Sequence, residues 1–198
     1  MSLRLTQLKV GQKKLATMRT RFTFGQKTMS KRFSPAALLA LTMMTNLPVQ
    51  AAEVGHLAPR FDLPGRTGAV SLDAYKGKVV YLDFWASWCG PCKQSFPWMN
   101  AMQERYRDQG LRVVAINVDQ KNDDASSFLK DNPASFDIAF DPAGKTPMVY
   151  DNKGMPGSVL IGPDGKVLMV HSGFKQQERA ELERQIQLAL AGSDGKAK

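Results

Sequence analysis

Apolar residues downstream of Ala52 switch repeatedly between strand-like and helix-like spacing. Residues 79–85, VVYLDFW, form a nearly continuous apolar run, which is typical of a buried central strand. Residues 111–119, LRVVAINVD, resemble this run and predict a second, parallel strand. Between the two, apolar side chains recur at the spacing of a helix that begins around the sequence CGPC and ends before Gly110: Cys92, Phe96, Met99 and Tyr106.

The second half of the chain continues the alternation. The pattern predicts a short helix at about 123–131, a short strand at 137–140 and a helical turn at 142–150. Residues 157–171 read as a β-hairpin, and residues 178–190 form an amphipathic helix. This order predicts one α/β domain over 52–191, with helices on both faces of the sheet, and a disordered tail at 192–198.

Charge separates the N-terminal region from this domain. The chain has 27 Lys and Arg against 18 Asp and Glu, a formal charge of +9. Nine of the basic residues and none of the acidic ones lie in residues 1–51, so the remainder is neutral. Nucleic-acid binding needs a basic face on the folded part of a protein. We therefore predict no nucleic-acid partner.

Residues 29–51 have the order of regions found in a signal peptide. Lys31 and Arg32 precede an apolar stretch at 33–47, and small residues surround a cleavage point before Ala52. The stretch is short for a membrane span, which needs about 20 residues. We predict that residues 1–51 are a targeting region that exports the domain to the periplasm. An uncleaved membrane anchor and a mitochondrial transit peptide remain as alternatives.

Cys89 and Cys92 are the only two cysteines, and they follow the predicted central strand directly. Free N–H groups and the dipole at a helix N-terminus favour a thiolate at Cys89, while Cys92 lies further along and can resolve a mixed disulfide. A purely structural staple is disfavoured because the closed loop is short. Zinc would need about four ligands, and a c-type haem would need His rather than Lys at position 93. No metal site is predicted.

Two further features stand near the cysteines. Asp83 interrupts the apolar strand, where a buried carboxylate is costly unless it is paired or functional. It is a candidate proton acceptor or donor for Cys92, and the alternative is an Asp that reaches solvent at the strand end. Pro156 stands at the start of a strand, where a proline without an N–H is tolerated. Background frequencies favour a trans bond between Met155 and Pro156.

Two segments resemble the thioredoxin superfamily: YLDFWASWCGPCKQSFPWM and MPGSVLIGPDGKVLMVHSGF. Residues 58–78 and the helix–strand insertion at about 123–140 are similar to the TlpA/ResA-like branch. The resemblance covers roughly residues 54–190. It implies a thioredoxin-like fold, in which a central mixed β-sheet is flanked by helices and carries an N-terminal extension and the insertion.

The resemblance also implies roles for particular residues. Cys89 is the attacking thiol, Cys92 the resolving thiol, Asp83 the buried acid and Pro156 the cis-proline. Trp88 is expected to flank the attacking sulfur and to line a substrate groove with its neighbours: Gly90, Pro91 and Met155.

The sequence departs from thioredoxins next to the buried acid. Alignment of VVAINVD places Ala115 where thioredoxins usually have a lysine. We therefore expect the carboxylate to lack a counter-charge.

The function implied is that of an exported thiol-disulfide oxidoreductase that mainly reduces protein disulfides. Its redox group would be the Cys89–Cys92 disulfide with no other cofactor, its electrons would come from a membrane donor, and it would be a monomer. Two alternatives stay open from the residues, a disulfide-donating oxidase and a copper-handling protein that uses two soft thiolates.

Overall fold

A computed structural model of the chain describes residues 52–194, the last two by their backbone alone. The predicted targeting region at 1–51 and residues 195–198 lie outside the described residues. Within 52–194, no helix has the length and apolar character that crossing a membrane requires.

The described part contains short elements, then a regular alternation of strands and helices. A 3₁₀ turn at Leu72–Tyr75 follows the first two strands, and another at Gln176–Glu178 precedes the last helix. The elements in chain order are β1 (Asp62–Pro64), β2 (Ala69–Ser71), β3 (Val79–Trp85), α1 (Cys92–Tyr106), β4 (Leu111–Asn117), α2 (Asn122–Asp131), β5 (Asp137–Phe140), α3 (Lys145–Val149), β6 (Gly157–Ile161), β7 (Val167–Ser172) and α4 (Arg179–Asp194).

The main sheet has five strands in the order β5-β4-β3-β6-β7. β3, β4 and β5 run parallel, whereas β6 is antiparallel to both β3 and β7. β1 and β2 form a separate antiparallel pair, which is the N-terminal extension. This arrangement confirms the predicted mixed sheet of a thioredoxin-like fold, including the inserted α2 and β5.

Several boundaries differ from the prediction, among them the start of α3, at Lys145 rather than 142. β4 ends at Asn117 rather than 119. The Asp119 N–H donates to Asn117 Oδ1 at 3.1 Å, a local bond that takes the backbone out of the ladder. α4 extends to Asp194, three residues into the segment predicted as a disordered tail. A single glycine costs a helix only about 1 kcal/mol, so Gly192 does not end it.

The two faces of the sheet are covered differently. α1, α2 and α4 all contribute to the core on one face, which also contains Cys89 and Cys92. The other face is covered by the N-terminal segment, through residues such as Phe61 and Val70, and by Val149 and Tyr150 at the end of α3. Helices therefore flank both faces, as predicted, but one face depends mainly on non-helical chain. Because both faces are covered, every residue of β3 is buried.

The buried face of α4 holds this helix against the sheet. Ile186 is 0% exposed, whereas Leu188 on the same helix is 55% exposed. We expect Ile186→Ala to lower the free energy of unfolding in urea by about 2–5 kcal/mol, because it removes buried methylenes and leaves a cavity. Leu188→Ala is the matched control and should change the free energy of unfolding by less than about 0.5 kcal/mol. Equal losses for the two variants would contradict this packing.

Candidate active site

The two cysteines form a disulfide at the junction between β3 and α1. β3 ends at Trp85, a short turn contains Cys89, and α1 begins at Cys92. Cys92 is therefore the first residue of the helix, which the sequence predicted to begin around the whole CGPC motif, and Cys89 precedes it in the turn. Pro91 occupies the N-cap position, where the lack of an N–H costs no helical hydrogen bond.

The two sulfur-bearing residues are not equivalent. Cys89 is 3% exposed and Cys92 is 0% exposed, so only Cys89 retains contact with solvent. Cys89 as a residue is thus largely buried. The Cys92 backbone N–H donates to Cys89 Sγ at 3.2 Å. This N–H belongs to the N-terminus of α1, whose partial positive charge favours a thiolate at Cys89.

The residues around Cys89 form an open surface. Trp88 is 70% exposed, and Gly90 and Pro91 are also exposed. Trp88 directly precedes Cys89 in the chain, and its role in a substrate groove remains a prediction.

A buried carboxylate holds the turn before Cys89, and the sequence reading missed it. Asp119, 4% exposed, accepts hydrogen bonds from the Ser87 backbone N–H at 2.9 Å and the Ser87 hydroxyl at 3.0 Å. Asn117 Nδ2 donates to the same carboxylate at 2.8 Å. The only signal in the sequence was the polar pair Asn117 and Asp119 at the C-terminal end of the predicted second strand. These bonds tie the loop that carries Trp88 and Cys89 to the end of β4.

Asp83 lies inside the sheet on the face that α1 covers. It is 2% exposed, and its Oδ2 has no hydrogen-bond partner among the described residues. Ala115 pairs with it on β4, as predicted, so this neighbour supplies no counter-charge. Burial raises the pKa of the Asp83 carboxyl well above its usual value, because the charged form loses its hydration. The alternative of an Asp that reaches solvent at the strand end is wrong.

The peptide bond between Met155 and Pro156 is cis. The family resemblance implied this, whereas background frequencies alone favoured a trans bond. Pro156 is buried directly before β6, where Gly157 pairs with Phe84 near the end of β3. Met155 is partly buried and packs against both cores. A Cβ on Gly157 would lie 1.7 Å from Asn152 Oδ1, so a larger residue beside this proline would require the Asn152 side chain to move.

Metal-binding side chains are not grouped in the part of the chain that the structure describes. Between residues 52 and 194, no three His, Cys, Asp or Glu side chains lie close enough to hold an ion. The chemistry that the site offers is therefore that of two thiols, a neighbouring helix N-terminus and a buried carboxyl group. Such a set can perform dithiol–disulfide exchange.

A redox-active cysteine pair between a central strand and a helix, on this sheet topology, defines a thioredoxin-like thiol-disulfide oxidoreductase. Residues 54–170 match the AhpC/TSA family, and the chain belongs to it. The predicted membership of the thioredoxin superfamily and the predicted enzyme class are confirmed.

Relatives and solved structures agree with this class. A protein of Bacillus thuringiensis subsp. konkukian named thiol-disulfide oxidoreductase ResA is 34% identical over 132 residues, 65% of this chain and 75% of that protein. The Bacillus subtilis protein of the same name is 36% identical over 120 residues, 60% of this chain and 67% of that protein. A putative thiol:disulfide interchange protein DsbE from Chlorobium tepidum is 56% identical, with a TM-score of 0.70 over 71% of this chain and 99% of that structure.

The environment of Asp83 predicts how stability depends on pH. Between the ordinary carboxyl pKa of 3.8 and the raised pKa of folded Asp83, the folded chain keeps a proton that the unfolded chain has lost. Within this window, the free energy of unfolding therefore falls by about 1.4 kcal/mol for each unit by which the pH rises. Asp83→Asn should remove that fall, so the variant gains stability over the wild type as pH rises above about 4.

Urea unfolding of the oxidised protein at several pH values measures this effect. Asp108→Asn is the matched control, because the Asp108 side chain is 97% exposed. It should leave the pH dependence unchanged. If Asp83→Asn tracks the wild type at every pH, then burial does not hold the proton on Asp83.

Proposed function

We propose that this protein is an exported thiol-disulfide oxidoreductase that reduces disulfides of other proteins. The observation that carries the proposal is the Cys89–Cys92 pair at the start of α1, on the same face of the sheet as Asp83, which is buried with no hydrogen-bond partner for Oδ2 among the described residues. The reduced form of this pair supplies two electrons, and the carboxyl group can hold the proton that exchange displaces.

The proposed reaction has two steps. The Cys89 thiolate attacks one sulfur of a client disulfide, forms a mixed disulfide and displaces the first client thiolate. The Asp83 carboxyl, which burial keeps mainly protonated, first loses its proton, and Cys92 then gives its own proton to the resulting carboxylate. The Cys92 thiolate attacks Cys89 Sγ. The second client thiolate leaves, the client has gained two electrons, and Cys89 and Cys92 are joined. The different exposures of Cys89 and Cys92 support this order.

The proposed client is an unfolded or loosely held protein segment. Trp88, Gly90 and Pro91 on one side and Met155 and Pro156 on the other would form the groove for its backbone. Met148, 77% exposed, extends the apolar surface beside Met155. Apolar contacts of this kind bind many sequences with little discrimination.

The proposed direction of exchange rests on the CGPC motif, and the proposed compartment rests on the N-terminal region. The Gly-Pro pair between the cysteines is the one found in thioredoxin, whose potential is about −270 mV. The basic region at 1–51 and its apolar stretch support export to the periplasm. A reductant in an oxidising compartment needs a supply of electrons, for which we propose a donor in the membrane. The proposed state is a monomer without a bound cofactor.

Trapping of mixed disulfides tests the order of attack. With Cys92→Ser, the second step cannot occur, so client proteins should accumulate as adducts that a reductant releases on non-reducing gels. The adducts should disappear in the double variant Cys89→Ser with Cys92→Ser. Adducts that persist in the double variant, or that form only with Cys89→Ser, would contradict the assigned roles.

The reduction potential tests the direction of the reaction. Equilibration of the Cys89–Cys92 pair with glutathione or dithiothreitol buffers should give a value near about −270 mV. Trp85 and Trp88 closely precede the pair in sequence, so tryptophan fluorescence is a suitable signal. A value near about −120 mV, as in a strong oxidant, would replace the reductase with the disulfide-donating oxidase.

A further inference from the structure

A row of polar side chains crosses the sheet from Asp83 towards its edge. Asp83 on β3 pairs directly with Ser158 on β6, and Ser158 pairs directly with His171 on β7. β7 is the last strand on this side of the sheet. Directly paired residues in adjacent strands have their Cβ atoms about 4.5–5.5 Å apart. The three side chains therefore stand next to one another in one line.

All three point to the face that contains the cysteines. Side chains alternate between faces along a strand. Tyr81 and Trp85, two positions either side of Asp83, belong to the core on the cysteine side of the sheet. By the same alternation, Leu160 places Ser158 on this face and Met169 places His171 on it. The row thus starts beneath the helix that carries Cys92.

The inner part of the row has unused hydrogen-bonding capacity. Asp83 Oδ2 is buried without a hydrogen-bond partner among the described residues, and the buried Ser158 hydroxyl interacts with Tyr81 but makes no contact of full hydrogen-bond geometry. Buried polar atoms are seldom left unpaired, and those that are unpaired call for an explanation. Tyr81 is the other titratable group beside them. Its pKa is raised by burial and then by the charge of Asp83, while the nearby Ser158 hydroxyl opposes this rise.

The outer part of the row reaches solvent. His171 Nε2 lies 3.3 Å from Glu178 Oε2, without the alignment of a hydrogen bond. The two side chains are 23% and 32% exposed. Lys175 Nζ donates to Glu178 Oε1 at 3.0 Å and lowers the pKa of that carboxyl. Arg179, the other charged group here, bonds to Gln94 O at 3.4 Å and stacks over Phe174.

The proposed reaction requires such a route. Burial favours the protonated form of the Asp83 carboxyl, so its proton must leave before Asp83 can accept the proton of Cys92 in the second step. Asp83 is 2% exposed and Cys92 is 0% exposed, so neither exchanges protons with bulk water directly. Imidazole can accept and donate a proton near neutral pH, which suits a residue between a buried acid and solvent.

We propose that Ser158 and His171 relay protons between Asp83 and solvent, with Glu178 orienting the imidazole at the outer end. The relay rests on the proposed function, because it serves the second step of the exchange. Ser158 passes a proton by accepting one and donating its own, and His171 does the same through its two ring nitrogens. No electron moves in the relay. Ser158 and His171 are positioning residues, since they act through Asp83.

Reaction of the reduced protein with the aromatic disulfide dithiobis(nitrobenzoate) separates the two steps. Attack by Cys89 releases a first coloured thiolate at a rate that rises with reagent concentration. Attack by Cys92 on the mixed disulfide releases a second coloured thiolate at a rate independent of it. We expect His171→Gln to leave the first rate unchanged and to slow the second about tenfold. This loss is smaller than the factor of about 10²–10⁴ that a group in direct acid–base catalysis contributes to a rate. The pH dependence of the second rate should also flatten.

Three further measurements separate a relay from a structural role. Ser158→Ala should slow the second rate as His171→Gln does. Added imidazole should restore the second rate of His171→Ala and leave the wild type unchanged. His56→Gln is the matched control, because His56 is the only other histidine and also lies near a carboxylate, at 3.6 Å from Glu53. It should behave as the wild type, and thermal unfolding of each oxidised variant checks its fold.

Two outcomes overturn the relay alone. The first is that both His171 variants release the second thiolate at the wild-type rate and with the wild-type pH profile. That result would mean that protons leave by another route. The second is a slower His171→Ala that imidazole does not restore and whose pH profile is unchanged, which would indicate a structural role. If the reduced wild type never releases the second thiolate, Cys92 does not resolve the mixed disulfide, and the proposed function falls with the relay.

Discussion

The burial of β3 on both faces is the constraint on which the active site depends. This strand is central in the sheet and every residue in it is shielded, by three helices on one side and by the N-terminal segment and the end of α3 on the other. Its end at Trp85 fixes where the cysteine turn begins. Its centre holds a carboxyl group where water cannot hydrate the charge.

Two opposite electrostatic effects meet at this strand. The N-terminus of α1 offers an N–H to Cys89 Sγ and favours a negative charge there. The apolar surroundings of Asp83, with Ala115 beside it, disfavour a negative charge. Two groups in one site, of which one is favoured and the other disfavoured as an anion, are suited to separate roles as nucleophile and proton carrier. The fold thus differentiates two acidic groups without a metal or a buried cation among the described residues.

Much of the fold could be predicted because periodicity is a local property. The apolar runs at 79–85 and 111–117 and the helical spacing after Cys92 follow from neighbouring residues alone. Boundaries were less predictable, since the end of β4 depends on a side-chain bond from Asn117 and α4 continues past Gly192. The Asp119–Ser87 contact was missed because it joins residues 32 positions apart, which no local pattern encodes.

By itself, the sequence determined the chemistry: two thiols three residues apart after a buried strand, an acid within that strand and the elements that carry them. Only the tertiary structure decided which groups stand beside that acid. The line from Asp83 through Ser158 to His171 depends on the register of β6 and β7, and the burial of Cys92 depends on how α1 lies on the sheet. Pairing across strands joins residues that are distant in the chain, so it is set by the packing of the whole domain rather than by neighbouring residues.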